Sequence, residues 1–170
     1  NMLMLVLSPI AGRASARVGP RVLMTVGALV AAVGMMLFAR VQSGAPYVTT
    51  TLPATIVFGI GLAILVAPLT SAVLSAVKES DTGIASGINN AVARLAGLIA
   101  TAAIPLAAGI GGSTKLEGAA YAEGFTRAML ISAGLCAAGA VVAFATVRSE
   151  KEARMAAHGA RARRKGRRSA

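Results

Sequence analysis

The residues of this sequence that could do chemistry are few and far apart. It contains a single cysteine, Cys136, a single histidine, His158, and six acidic residues, all of which lie outside the long apolar runs. A catalytic site or a metal site needs several such groups close together. The sequence therefore predicts neither an enzyme nor a metal-binding protein, and it predicts no cofactor.

The most informative polar residues lie within one apolar stretch. Gly87, Asn90 and Arg94 are spaced by three or four, which places them on one helical face, and Asn89 adjoins them. Arginine at membrane depth is costly unless it contacts protein or water, or extends to the headgroups. We predict that these four residues lie at a helix interface or in a cavity open to the cytoplasm. The alternative is that Arg94 extends to the inner leaflet and has no functional role.

Four long segments could position these residues. No charged residue occurs between Arg40 and Lys78, and further uncharged stretches flank this one on both sides. A run of about 18–20 apolar residues is long enough to cross the ~30 Å hydrocarbon core as a helix. The sequence thus predicts an all-α integral membrane protein with four transmembrane helices and a partial N-terminal helix that stops at Ser8-Pro9. The predicted spans are about 22–39, 50–77, 84–107 and 125–147.

The distribution of charge predicts the orientation. The chain is 56% hydrophobic, yet its net charge is +11, because nine of the 17 basic residues follow position 147. Basic segments next to membrane spans stay in the cytoplasm. We predict that residues 1–147 form the membrane domain of a multi-pass plasma-membrane protein and that residues 148–170 form a basic cytoplasmic tail. The tail is a topology signal or attracts anionic lipid, and it lacks the interleaved aromatic residues of a nucleic-acid-binding segment.

A loop with regular glycine and arginine spacing precedes the first predicted span. Within residues 10–21 it contains Gly12, Arg13, Arg17, Gly19 and Arg21. Glycine allows a tight turn and close helix approach, whereas arginine can pair with carboxylates or with the carbonyl ends of neighbouring helices. The loop is either a functional motif or a simple basic loop that fixes topology.

Three prolines lie inside the predicted spans. Pro53, Pro68 and Pro105 remove backbone hydrogen bonds and so predict helix bends, and Gly59 and Gly61 are expected to loosen the second span further. Bent helices can open and close a cavity. Proline is also common in membrane helices in general, so these three residues alone do not indicate a cavity that opens and closes.

The spacing of the loop resembles a known signature. Gly12-x-x-x-x-Arg17-x-Gly19-x-Arg21 is similar to the second copy of the cytoplasmic loop motif of the major facilitator superfamily, with Ala16 where that motif usually has an acidic residue. The substitution argues against a charge-relay role for this copy.

Two apolar segments extend the resemblance. Residues 52–69 and 83–97 are similar to helices in the C-terminal half of drug:proton antiporters of the EmrB/QacA type, which have fourteen helices. The resemblance covers about residues 8–148. It implies the last four helices of such a transporter, preceded by the end of another helix.

The resemblance also implies a function and partners. It predicts the C-terminal part of an efflux transporter that exports small amphiphilic molecules in exchange for protons, by alternating access. The expected partners are the lipid bilayer, the missing N-terminal half, a small-molecule substrate and protons. Proton coupling needs a titratable group at membrane depth, and the predicted spans contain no aspartate or glutamate. The coupling residue is therefore expected elsewhere in the transporter.

Two other hypotheses remain open. The chain could be a non-transporting membrane anchor or assembly module with a lipid-binding basic tail. It could also be a stand-alone four-helix exporter that dimerises, although such exporters usually need a glutamate in their first helix and this sequence has none there. Because residue 1 is not an initiator methionine, we expect a fragment of a longer protein.

Overall fold

Four α-helices make up most of the described chain. The computed structural model describes Leu7 and residues 10–14, 18–41, 44, 46–110 and 118–147, and only the backbone of Ser75 and Ala119. We number the helices α1 Pro20–Phe38, α2 Thr51–Ser75, α3 Thr82–Ala107 and α4 Ala119–Thr146. A 3-10 turn, Glu79–Asp81, joins α2 to α3. No β-strand occurs in the part of the chain that the structure describes.

The predicted fold class is confirmed. Each of the four helices is long and apolar enough to cross a membrane. The main difference in length concerns α4, which begins at Ala119 rather than near Phe125. The earlier start arises because alanine and glutamate favour helix and because Glu123 and Arg127 form an ion pair one turn apart. Glu123, which precedes the predicted span, therefore lies in α4, near the start of the helix.

Helix α1 is central, and it packs along its length against α2 and against α4. Going from the start of α1 to its end, the residues that it contacts in α2 and in α4 have decreasing numbers. Helix α1 is therefore antiparallel to both. The start of α1 and the ends of α2 and α4 therefore lie on one side of the membrane. We call this the tail side, since residues 148–170 follow α4, and we call the opposite side the far side.

Glycines bring α1 and α2 together. A Cβ atom on Gly34 would lie 2.7 Å from the Cα of Phe58, and one on Gly27 would lie 2.7 Å from the backbone nitrogen of Leu65. Gly61 of α2 meets the backbone of α1, at the nitrogen of Ala31, more closely still. Small residues permit such close contact between membrane helices, where van der Waals packing drives association. The expectation that Gly61 loosens α2 is therefore wrong, because Gly61 lies at the tightest part of the helix pair.

Helix α3 stands apart from the other three. It contacts α2 and α4 only sparingly, and none of its residues is buried. A Cβ atom on Gly83, Gly87 or Gly97 would meet no atom within 4 Å among the described residues. The helix thus leaves nearly its whole surface uncovered by the remainder of the described chain.

Two of the three prolines lie near helix ends, and the third lies inside a helix. Pro53 lies in the first turn of α2, where backbone N–H groups have no intrahelical partner to lose. Pro105 lies in the last turn of α3, where its carbonyl accepts a hydrogen bond of 2.8 Å from the N–H of Ile110 around Gly109, whose φ is 78°. This is a Schellman ending. Only Pro68, which is fully buried, lies well inside a helix.

The predicted loop before the first span is partly helical. Residues 10–14 are helical, as the good helix formers Ala11 and Ala14 favour. Three predictions concern residues that the structure does not describe: Arg17, the partial N-terminal helix up to Ser8-Pro9, and the tail after Val147. Leu7, within that N-terminal segment, is described and is helical.

Candidate functional site

Three of the predicted site residues lie on one exposed face of α3. Gly87, Asn90 and Arg94 follow one another by about one turn and are all exposed. Arg94 has no hydrogen bond or ion pair with any described residue. It lies halfway along the 26 residues of α3, about 18 Å from the first residue at 1.5 Å per residue. The guanidinium group is therefore carried at the middle of a membrane-length helix.

That depth makes contact with lipid unfavourable. An arginine at the centre of a transmembrane helix costs about 2.5–3.5 kcal/mol of insertion free energy on biological scales. The half-thickness of the hydrocarbon core is about 15 Å, so both headgroup regions are distant from the Cα of Arg94. This face of α3 is the strongest candidate for contact with protein or water.

Asn89 does not belong to this face. It lines a cleft of 490 Å³ between the end of α2 and the first half of α3, on the tail side. Asn90 and Arg94 take no part in the cleft, because residue 89 points about 100° away from residue 90 on a helix. The four predicted residues therefore separate into a polar face with Gly87, Asn90 and Arg94, and a cleft with Asn89.

The cleft is almost wholly apolar. Its walls come from Val73 of α2, from Val77 just after that helix, and from Ile84 and Ile88 of α3, with Asp81 at its edge. Such a lining can hold a hydrocarbon chain or the apolar part of an amphiphile by burying it from water. One carboxylate at the edge could interact with a cationic group.

Gly19 shows why the loop motif needs glycine there. It directly precedes α1, is buried and has φ 91°, a conformation that other residues adopt only with strain. Pro20 then occupies the first helical position, where its missing N–H costs nothing. Gly19 and Pro20 thus fix the point at which α1 enters the membrane on the tail side.

Arg21 of the same motif contacts an aromatic ring. Its guanidinium carbon lies 4.1 Å from the ring centroid of Phe144, in the last turn of α4. The Nε atom of Arg21 is buried and has no hydrogen-bond partner among the described residues. A cation over a ring face is attracted by the ring quadrupole, so this pair links the tail-side ends of α1 and α4.

The far-side ends of α1 and α4 are also linked. The Thr126 hydroxyl donates hydrogen bonds to the carbonyl of Ala39, at 3.3 Å, and to that of Ala122 in its own helix, at 3.0 Å. The next residue, Arg127, pairs with Glu123 on the exposed surface. Contacts at both ends fix α4 against α1.

Sequence reasoning missed the residues that build this bundle. Gly27, Ala31 and Gly34 repeat by four and three along α1, so a pattern of small residues typical of a helix interface was present in the sequence. Phe144 had no such local signal, since its partner Arg21 lies on a distant segment and only the antiparallel packing brings the two together.

Known proteins are similar to this chain in sequence. Residues 1–169 match the family model of the Major Facilitator Superfamily. The chain is 32% identical over 97 residues to the puromycin resistance protein pur8 of Streptomyces alboniger, a match that spans 56% of this chain and 19% of that protein. No solved structure matches it significantly. Because the family model covers nearly the whole sequence and all four membrane-length helices, the chain belongs to the Major Facilitator Superfamily.

Proposed function

We propose that this chain is the C-terminal part of a proton-coupled efflux transporter of the EmrB/QacA type. One observation carries the proposal: α3 has membrane length, is left uncovered by the other described helices, and carries Arg94 and Asn90 at its middle. A polar face at that depth is stable only against protein or water. In a carrier, the other half of the molecule supplies protein contact and the substrate cavity supplies water.

The remaining helices have a different role in this proposal. Helices α1, α2 and α4 form a bundle held by glycine contacts and by links at both ends of the α1–α4 pair. Such a bundle can move as one body, which is what rocking of one half against the other requires in alternating access. Helix α3 is then the element through which this body contacts the rest of the carrier.

The substrate class rests on similarity. The matched relative is a puromycin resistance protein, which favours export of small amphiphilic compounds by the complete carrier. The apolar cleft with Asp81 at its edge is compatible with compounds that carry a positive charge. Since the described acidic residues lie at helix ends, the N-terminal half would supply the carboxylate that couples export to protons.

Export by the complete carrier tests the function. Expressed in a host that lacks its own efflux pumps, the carrier should lower the accumulation of ethidium and raise resistance to puromycin. Collapse of the proton gradient should abolish both effects, because export would be driven by proton entry. If energised cells that express the carrier accumulated as much ethidium as the host without it, the proposal would be contradicted. The anchor or assembly module would then be favoured.

We also propose a plasma-membrane location with the tail side in the cytoplasm, since the basic residues concentrate there. Cys136 is first replaced by serine to remove the native thiol. A cysteine at Tyr47, which is 60% exposed on the far side, should then react with an impermeant thiol reagent in intact cells. Cysteines at Ser80 or Ser169 should react only after the cells are opened, and labelling of either from outside would reverse the orientation.

A further inference from the structure

The face of α3 around Arg94 indicates the chemistry of what covers it. Gly87 and Gly97 lie within two turns on either side of Arg94, and no described atom comes within 4 Å of a Cβ built on either of them. Between them, Asn90 adds an amide to the guanidinium group. The face is therefore open enough for close approach of another helix and offers planar donors at its centre.

An ion pair satisfies a guanidinium at this depth better than a neutral group does. Arginine presents a rigid fork of donors that matches a carboxylate with two parallel hydrogen bonds. Charged residues inside membranes pair with one another for this reason. The phosphates of lipid headgroups lie outside the hydrocarbon core, whereas Arg94 is carried at the middle of α3.

No carboxylate among the described residues lies near the middle of α3, where Arg94 is carried. Its sequence contains no acidic residue before Glu79. Asp81 lies at the tail-side end of α3, about 20 Å along the axis from Arg94, and Glu123 lies near the far-side end of α4. A second copy of the chain would present these described acids at the same two ends. Their positions favour a partner from elsewhere in the carrier.

We propose that Arg94 forms an ion pair with an aspartate or glutamate on a membrane helix of the carrier's N-terminal half, which docks on the face made by Gly87, Asn90, Arg94 and Gly97. This ion pair rests on the proposed function in one respect: the complete protein must be a carrier with an N-terminal half that can supply the acidic residue. The pair fixes the depth at which the two halves meet.

Charge exchange in the complete carrier tests the pair. Arg94→Glu places two carboxylates together, and we expect ethidium export to fall at least about tenfold. Each aspartate and glutamate in the other apolar spans is then replaced by arginine in this background. One such exchange should restore export to within about twofold of wild type.

A surface pair provides the matched control. Arg127 and Glu123 also pair across one helical turn, but their side chains are 61% and 67% exposed. Arg127→Glu alone, and the exchange with Glu123→Arg, should both leave export unchanged, because exposed ion pairs contribute little.

Thermal stability separates this inference from the proposed function. In detergent, Arg94→Glu should lower the temperature at which the purified carrier loses its folded peak, and the matching exchange should restore it. If wild type exports nothing but the exchange restores stability, the function is wrong and the pair stands. If no exchange restores export or stability, or if Arg94→Glu behaves as wild type, the pair is wrong. If Arg94→Glu loses export but keeps its thermal stability, and no exchange restores export, the pair is also wrong. Arg94 would then lie against an anionic substrate.

Discussion

Helices α1 and α3 both contain glycine and alanine but use them differently. Of the seven buried residues of α1, five are glycine or alanine, and they face α2 or α4. Helix α3 has no buried residue, and its glycines face open space among the described residues. In α1 the small residues form an interface, whereas those of α3 have no packing partner in the part of the chain that the structure describes.

The difference separates two kinds of information in the sequence. Apolar length places both helices in the membrane, but it does not determine which helix packs against which. The distinguishing feature is charge, because the described residues inside α1 include no charge beyond Arg21 at its start, whereas Arg94 lies at the centre of α3. We propose that this central charge marks the contact between α3 and the rest of the carrier.

The largest expected effect is on the packed helix pair. In Gly61→Leu the added side chain would collide with the backbone of α1, which cannot move away without separating the helices. We expect a destabilisation at or above about 3 kcal/mol, the upper end for overpacked cores, and little folded carrier in the membrane. The measurement is the folded peak in fluorescence-detected size-exclusion chromatography.

Gly139→Leu is the control for that change. Gly139 is in α4, is exposed, and a Cβ there meets nothing within 4 Å. The same substitution should leave the folded peak intact, since leucine favours helix over glycine. Equal loss in both variants would show that glycine itself, and not the close contact at Gly61, matters for folding.

The next effect concerns the uncovered helix. Arg94→Ala in the complete carrier should impair export while membrane abundance stays nearly unchanged, because α1, α2 and α4 do not depend on α3 for packing. Arg94→Lys should rescue export only in part, since an ammonium group cannot reproduce the planar fork of donors. Wild-type export by both variants would mean that Arg94 merely extends to the headgroups.

The sequence predicted the elements of this fold well. Uncharged runs were sufficient to predict four membrane helices, because membrane insertion depends on the length and polarity of a segment and on little else. Gly19 was also singled out as a turn residue, and its φ of 91° supplies the physical reason. The roles of Gly87, Asn90 and Arg94 stay predictions, since the described chain contains nothing that covers them.

What the sequence could not predict depends on neighbours in space. Gly61 looked like a weak point of α2 because its contact with α1 belongs to another segment. Pro53 and Pro105 looked like bends, since a span estimated from hydropathy does not show where the first and last helical turns fall. Asn89 separated from Asn90 for a simpler reason: the two side chains point about 100° apart around the helix, and only Asn89 points towards the cleft.

The smallest expected effect tests the contact between Arg21 and Phe144. Phe144 is 55% exposed, so the cation–ring attraction should be worth about 0.5–1 kcal/mol. Phe144→Leu keeps an apolar side chain but removes the ring, and should lower the thermal stability of the purified carrier slightly. Arg21→Lys keeps the charge but loses the planar stacking group. If the two side chains act together, the double variant should be less destabilised than the sum of the single changes. Strict additivity would show that Phe144 stabilises the bundle through apolar contact alone, and that α1 and α4 are held on the tail side without Arg21.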